Sequence, residues 1–151
     1  MADRRQMSFE RSGSRASGAE SLVIDASVAV KASLVEGGFD VFGRRSLSAP
    51  TLMWSEAAAG LRQLQWRGDI SVDEADLALS RLLTIAVEPH PSSDLVADAL
   101  AIARQLGWAK TYDAEYVALA RRLDIPLVTL DARLRLGVSG LVSVLGPTEI
   151  T

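Results

Sequence analysis

Short apolar runs alternating with helix-length amphipathic stretches constrain this chain most, because that alternation implies a parallel sheet covered by helices on both faces. In "SLVIDASVAV", residues 21–30, the β-favouring Leu22, Val23 and Ile24 run into Asp25. A helical stretch follows over 27–34, with Ser27 as its cap and Gly37-Gly38 as its stop. After a short apolar piece near "LSAP", Pro50 and Thr51 open a helix in which Leu52, Met53, Ala57, Leu61 and Leu64 recur at helical spacing to about Gly68. "SVDE" at 71–74 is a capping-box pattern, and Leu79, Leu82, Leu83 and Ala86 mark the face of the helix it opens. "PHPSSD" breaks the chain. A helix from about Ser93 carries Leu95, Ala99, Ile102, Ala103 and Leu106 and stops at Gly107, and Tyr112, Tyr116, Leu119, Ala120 and Leu123 define the next. "PLVTLD" is a second apolar strand that ends, like the first, on an aspartate, Asp131.

Parallel sheets bind ligands in the crevice beyond the carboxyl ends of their strands, which is where Asp25 and Asp131 fall. If the two strands are neighbours, both carboxylates enter one crevice. Glu56, in the first two turns of its helix, and Asp113, in the first turn of "TYDAEYVALA", sit near helix starts that open on the same rim. Three of the acids have a plain structural reading: a turn-forming Asp after a strand for Asp25 and Asp131, a favourable dipole partner for Asp113. Glu56 resists such a reading, because it lies in the apolar and small-residue stretch "LMWSEAAAGL". Carboxylates about 4 Å apart repel by roughly 4 kcal/mol at an effective dielectric near 20, so four converging acids require protons or a cation. Oxygen ligands, with no cysteine and a single histidine in the chain, point to Mg²⁺ or Mn²⁺ and away from zinc.

The bulk numbers agree with one globular domain. A chain of 151 residues, 48% hydrophobic and 23% charged, can bury a single core. No apolar run approaches the roughly 20 residues of a membrane span, so a membrane role is not expected. The absence of cysteine suits a reducing, cytoplasmic setting. A net charge of −3 neither advertises nor forbids nucleic-acid binding, since a local basic rim acts within a Debye length. Residues 1–20, rich in Arg, Ser and Gly, read as a disordered extension ahead of a domain over 21–151.

"LVIDASVAVKA", "APTLMWSEAAAGLRQLQWRG" and "TYDAEYVALARRLDIPLVTLD", in this order, resemble a PIN domain, and in particular the VapC-type toxins of toxin–antitoxin modules. The resemblance covers residues 22 to about 146. It implies a three-layer α/β/α fold with a central parallel sheet, a divalent-metal site and endoribonuclease activity restrained by a cognate antitoxin. By position, Asp25 matches the acid of the first strand, Glu56 that of the early helix, Asp113 that of "YDA" and Asp131 that of the "TLD" strand end. Ser27 matches the Ser or Thr that commonly follows the first acid. One departure is visible: relatives often read Glu-Val-Ala-Asn-Ala-Leu in the early helix, and Ala59 stands here at the Asn position.

The implied chemistry is hydrolysis of an RNA phosphodiester, with one or two metal ions held by the acids, water activated for in-line attack and the developing charge stabilised. Asp25 is the expected central ligand, Asp113 and Asp131 its partners, and Glu56 a ligand or the acceptor for the attacking water. Lys31 and Arg133 are candidate RNA-binding cations, each with an ordinary surface reading beside it. His90 reads as a solvated loop residue without a triad partner. Trp54, Trp66 and Trp108 read as packing residues, with base stacking as the alternative. Excess Leu, Ala and Val on the second and third long helices suits a homodimer interface or a groove for an antitoxin helix. Two alternatives to a toxin keep the fold: a catalytically silent binding module and a stand-alone nuclease. A phosphotransfer enzyme with Asp25 as nucleophile would want a second Asp at position 27 or paired acids and a late strand-end Lys, which this sequence lacks.

Overall fold

The computed structural model of the protein describes residues 18–150. Five strands, β1 (Ser21–Ile24), β2 (Ser46–Pro50), β3 (Val87–His90), β4 (Leu127–Val128) and β5 (Val144–Leu145), form one sheet in the order β3-β2-β1-β4-β5. Every pairing is parallel. Six helices connect them: α1 (Ala26–Ser33), α2 (Leu52–Trp66), α3 (Val72–Thr84), α4 (Val96–Leu106), α5 (Tyr112–Leu123) and α6 (Ala132–Val138). The chain steps outward from β1 to β2 and β3, then returns past β1 to β4 and β5. Right-handed crossovers therefore place α1, α2 and α3 on one face of the sheet and α4 and α5 on the other. Within these layers α1 packs on α2 and α3, α4 on α5, and α5 on β1, β2 and β4. The expected three-layer α/β/α architecture is the one observed.

The central strands are buried on both faces, which explains why they read as unbroken apolar runs. Val23, Ile24, Leu127 and Val128 are inaccessible to solvent and meet Tyr116, Val117 and Leu119 of α5 in the core. The reversal of strand order lies between β1 and β4, and in an open α/β sheet that switch point opens the crevice at the carboxyl edge.

Local signals hold with small shifts. Ser71 and Glu74 form the capping box of α3, and Gly107, at φ 71°, ends α4 in the left-handed conformation that glycine adopts without strain. Pro50 closes β2 and does not open α2. A short 3-10 turn at Ser92–Asp94 precedes α4, so that helix starts at Val96 instead of Ser93. The expected break at "PHPSSD" begins inside a strand, since Pro89 and His90 belong to β3; that strand pairs on one side only, and an edge position tolerates Pro89. The expected extension lies outside the described residues for 1–17. At its end Ala19 and Glu20 join the fold: Ser46 donates its N–H to the carbonyl of Glu20 at 2.8 Å and Arg45 Nε donates to that of Ala19 at 2.9 Å. Among the described residues no helix is long and apolar enough to cross a membrane.

Candidate active site

At the switch point the backbone leaves two extended strands and turns directly into two helices, and an aspartate sits at each turn. Asp25, only 6% exposed, caps α1: its Oδ1 accepts the N–H of Val28 at 3.1 Å and the hydroxyl of Ser27 at 2.6 Å. Its Oδ2 accepts the hydroxyl of Thr129. Both hydroxyls also accept from the turn after β4, Ser27 Oγ from the N–H of Leu130 at 3.2 Å and Thr129 Oγ1 from the N–H of Asp131 at 3.0 Å. Ser27 and Thr129 thus brace the end of β1 to the turn after β4. Asp131 caps α6 with Oδ1, which accepts from Arg133 N at 2.9 Å and Leu134 N at 3.3 Å. The capping role of both aspartates is real and leaves lone pairs on each carboxylate. It also corrects the expectation for Ser27, which lies inside the first turn of α1 while Asp25 is the cap.

The other two acids come from helices. Glu56, half-buried on the second turn of α2, accepts the phenol of Tyr116 on Oε1 at 2.6 Å. Asp113 lies in the first turn of α5. Burial pushes the Asp25 carboxyl above the usual carboxylate range, with Asp131 adding to the rise against the hydrogen bonds that lower it. Burial, then the charges of Asp131 and Asp25, do the same to Asp113. Glu56 is raised by burial and by Asp113, Asp25 and Glu115, while the Tyr116 bond opposes the rise. Tyr116 itself, buried against that carboxylate, is held neutral far above the ordinary phenol range.

The four acids expected from the sequence thus converge within electrostatic reach. None is in an ion pair among the described residues. No group of three or more Asp, Glu, His or Cys side chains there forms a ready-made metal cage. By donor chemistry the set nevertheless suits a hard divalent cation, being all oxygen, mutually repelling and unneutralised.

Asp113 and Asp131 line a cavity of about 530 Å³ that also contains Trp108, Lys110 and Arg133. Of the two expected RNA-binding cations the structure brings only Arg133 there; Lys31 lines a separate, apolar cavity with Val35, Val41 and Phe42. His90 is not a solvated loop residue: it ends β3, and its Nε2 is buried without a hydrogen-bond partner among the described residues, as is Oε1 of Glu115. Thr129 and Tyr116 escaped the sequence reading, because a β-branched residue in a strand and an aromatic at helical spacing both look like packing.

A sequence profile of the PIN domain matches residues 22–136. Ribonuclease VapC9 of Mycobacterium tuberculosis is 37% identical over 114 residues, 75% of this chain and 87% of that protein. Among solved structures, PAE2754 of Pyrobaculum aerophilum superposes with a TM-score of 0.67 at 21% identity, over 97% of this chain and 94% of the other. A toxin–antitoxin complex from Klebsiella pneumoniae gives 0.56 at 16% identity, over 83% of this chain and 97% of its own. At those identities the two structures speak for the fold.

Proposed function

Because this chain belongs to the PIN-domain family, we propose that it is an endoribonuclease, the toxin of a toxin–antitoxin module, acting on RNA phosphodiesters with Mg²⁺ or Mn²⁺. The convergence of Asp25, Glu56, Asp113 and Asp131 at the β1/β4 switch point carries this reading. Asp25, Asp113 and Asp131 would hold the ion, with Glu56 beside them. Bound there, the ion would supply Lewis-acid neutralisation of a phosphate and make nearby water more acidic. Ser27, Thr129 and the N–H of Val28 fix the rotamer of Asp25 before any ligand arrives. Tyr116 donates to Oε1 of Glu56 and so orients the carboxylate, whose Oε2 would accept the proton of the attacking water. Arg133 offers positive charge to the substrate backbone.

Exposed apolar side chains on α3 (Leu77, Leu83) and α4 (Val96, Leu100) are the surfaces assigned to protein partners, a cognate antitoxin and a second copy of the chain, in the cytoplasm. The test is cleavage of a mixed RNA pool by the purified chain with Mg²⁺ or Mn²⁺, before and after chelation. Asp113→Asn is expected to reduce the rate by at least about a hundredfold. RNA left intact under both ions, with no effect of Asp25→Asn on any RNA-dependent property, would establish the silent binding module instead.

A further inference from the structure

The cavity lined by Asp113 and Asp131 holds, besides Arg133, two side chains that the cleavage chemistry does not use, Trp108 and Lys110. Lys110 and Arg133 are exposed, and neither forms an ion pair among the described residues, although two carboxylates share their cavity. Trp108 forms part of the wall and is half-buried. Its position is fixed from two sides. The left-handed Gly107 turns the chain out of α4, and the N–H of Trp108 donates back to the carbonyl of Ala103 at 2.8 Å. Across the ring, a β-carbon at Gly137 of α6 would lie 3.5 Å from indole Cζ2, so the ring is seated against that helix.

An anchored indole beside two uncommitted cations and two carboxylates matches a strand that alternates flat bases with phosphates. Bases stack on aromatic rings whatever their identity, and phosphates are held by Lys and Arg. A volume of about 530 Å³ suits a small-molecule-sized group and does not suit a helix. We propose that this cavity is a nucleotide subsite next to the scissile phosphate, with a base against Trp108 and its phosphate between Lys110 and Arg133. The assignment rests on the ribonuclease reading and adds to it the residues that position the strand.

The test measures binding of a fluorescein-labelled single-stranded RNA of mixed sequence to the Asp25→Asn chain, which keeps the RNA intact, together with KM and kcat in the parent chain. Trp108→Leu should raise both Kd and KM about tenfold, with Trp108→Phe recovering most of the loss. Lys110→Gln should lower the slope of log K against log salt by about 0.7, one phosphate contact on a single strand. A chain carrying Trp54→Phe and Trp66→Phe, with Trp108 as its sole indole, should lose emission as RNA is added; this readout decides the matter if Trp108→Leu does not fold. Unchanged Kd, KM and salt slope, or emission indifferent to RNA that binds, overturns the subsite while leaving the nuclease standing. A parent chain that neither cuts nor binds RNA removes the ribonuclease reading, and the subsite with it.

Discussion

The Thr129 hydroxyl is both donor to Asp25 and acceptor from the Asp131 N–H, and its residue is almost wholly buried. Thr129→Val keeps the shape, removes both bonds and leaves a buried carboxylate oxygen under-satisfied. It should cost about 1–3 kcal/mol in urea denaturation. Cleavage should fall further than the loss of folded protein explains, since Asp25 also loses its orientation. Tyr116→Phe acts on the other side of the site. Without the bond that lowers it, the Glu56 carboxyl rises further, so the acid limb of the pH–rate profile should move to higher pH. A limb that stays in place would show that Glu56 is not the titrating group. These residues also mark where sequence stops being informative: the four acids stood out by type and by place in the strand–helix alternation. The partner of Asp25 lies 104 residues away, and only the pairing of β1 with β4 brings it there.

At the scale of elements, the helices were legible wherever cap and periodicity coincided. The capping box of α3 lies on an exposed start, so Ser71→Ala should lower stability by about 1 kcal/mol and leave RNA cleavage per folded molecule unchanged. The strands were legible by composition and place, not by length: β4, two residues long, stands out in "PLVTLD", whereas the four-residue β3 is masked by Pro89 and His90, which read as a break. β5 has two residues, too few for a period of two to show, and is a strand because its parallel neighbour β4 completes its hydrogen bonds. α6 was hidden for a related reason: its start is the Asp131 carboxylate, which the sequence marks as a site residue before it marks it as a cap.

Across the whole molecule the raised carboxyls link proton uptake to folding. Between their ordinary values, 3.8 for Asp25 and Asp113 and 4.5 for Glu56, and the higher values in the fold, the native chain holds more protons than the unfolded one. The stability these groups contribute is full below the ordinary values and is lost as pH rises through the raised ones. The metal-free chain should therefore melt at a lower temperature at pH 7 than the other groups alone would dictate. Asp113→Asn should raise that melting temperature by up to about 2 °C. Added Mg²⁺ should raise it for the parent chain and not for Asp113→Asn; saturation at a hundred times Kd corresponds to about 2.7 kcal/mol. A parent chain whose melting ignores both pH and Mg²⁺ would contradict this linkage.

The four carboxylates are not mounted alike. Asp25 and Asp131 are caps of their own helices and are cross-linked by two hydroxyls. Glu56 and Asp113 ride on α2 and α5, whose first turns have no side-chain cap. The crevice therefore has one side held at its helix caps and one whose helix starts are uncapped, and ion capture should order the uncapped starts. Amide exchange at Leu130 and Asp131 should be slow with or without Mg²⁺, whereas the opening turns of α2 and α5 should become protected only when the ion is present.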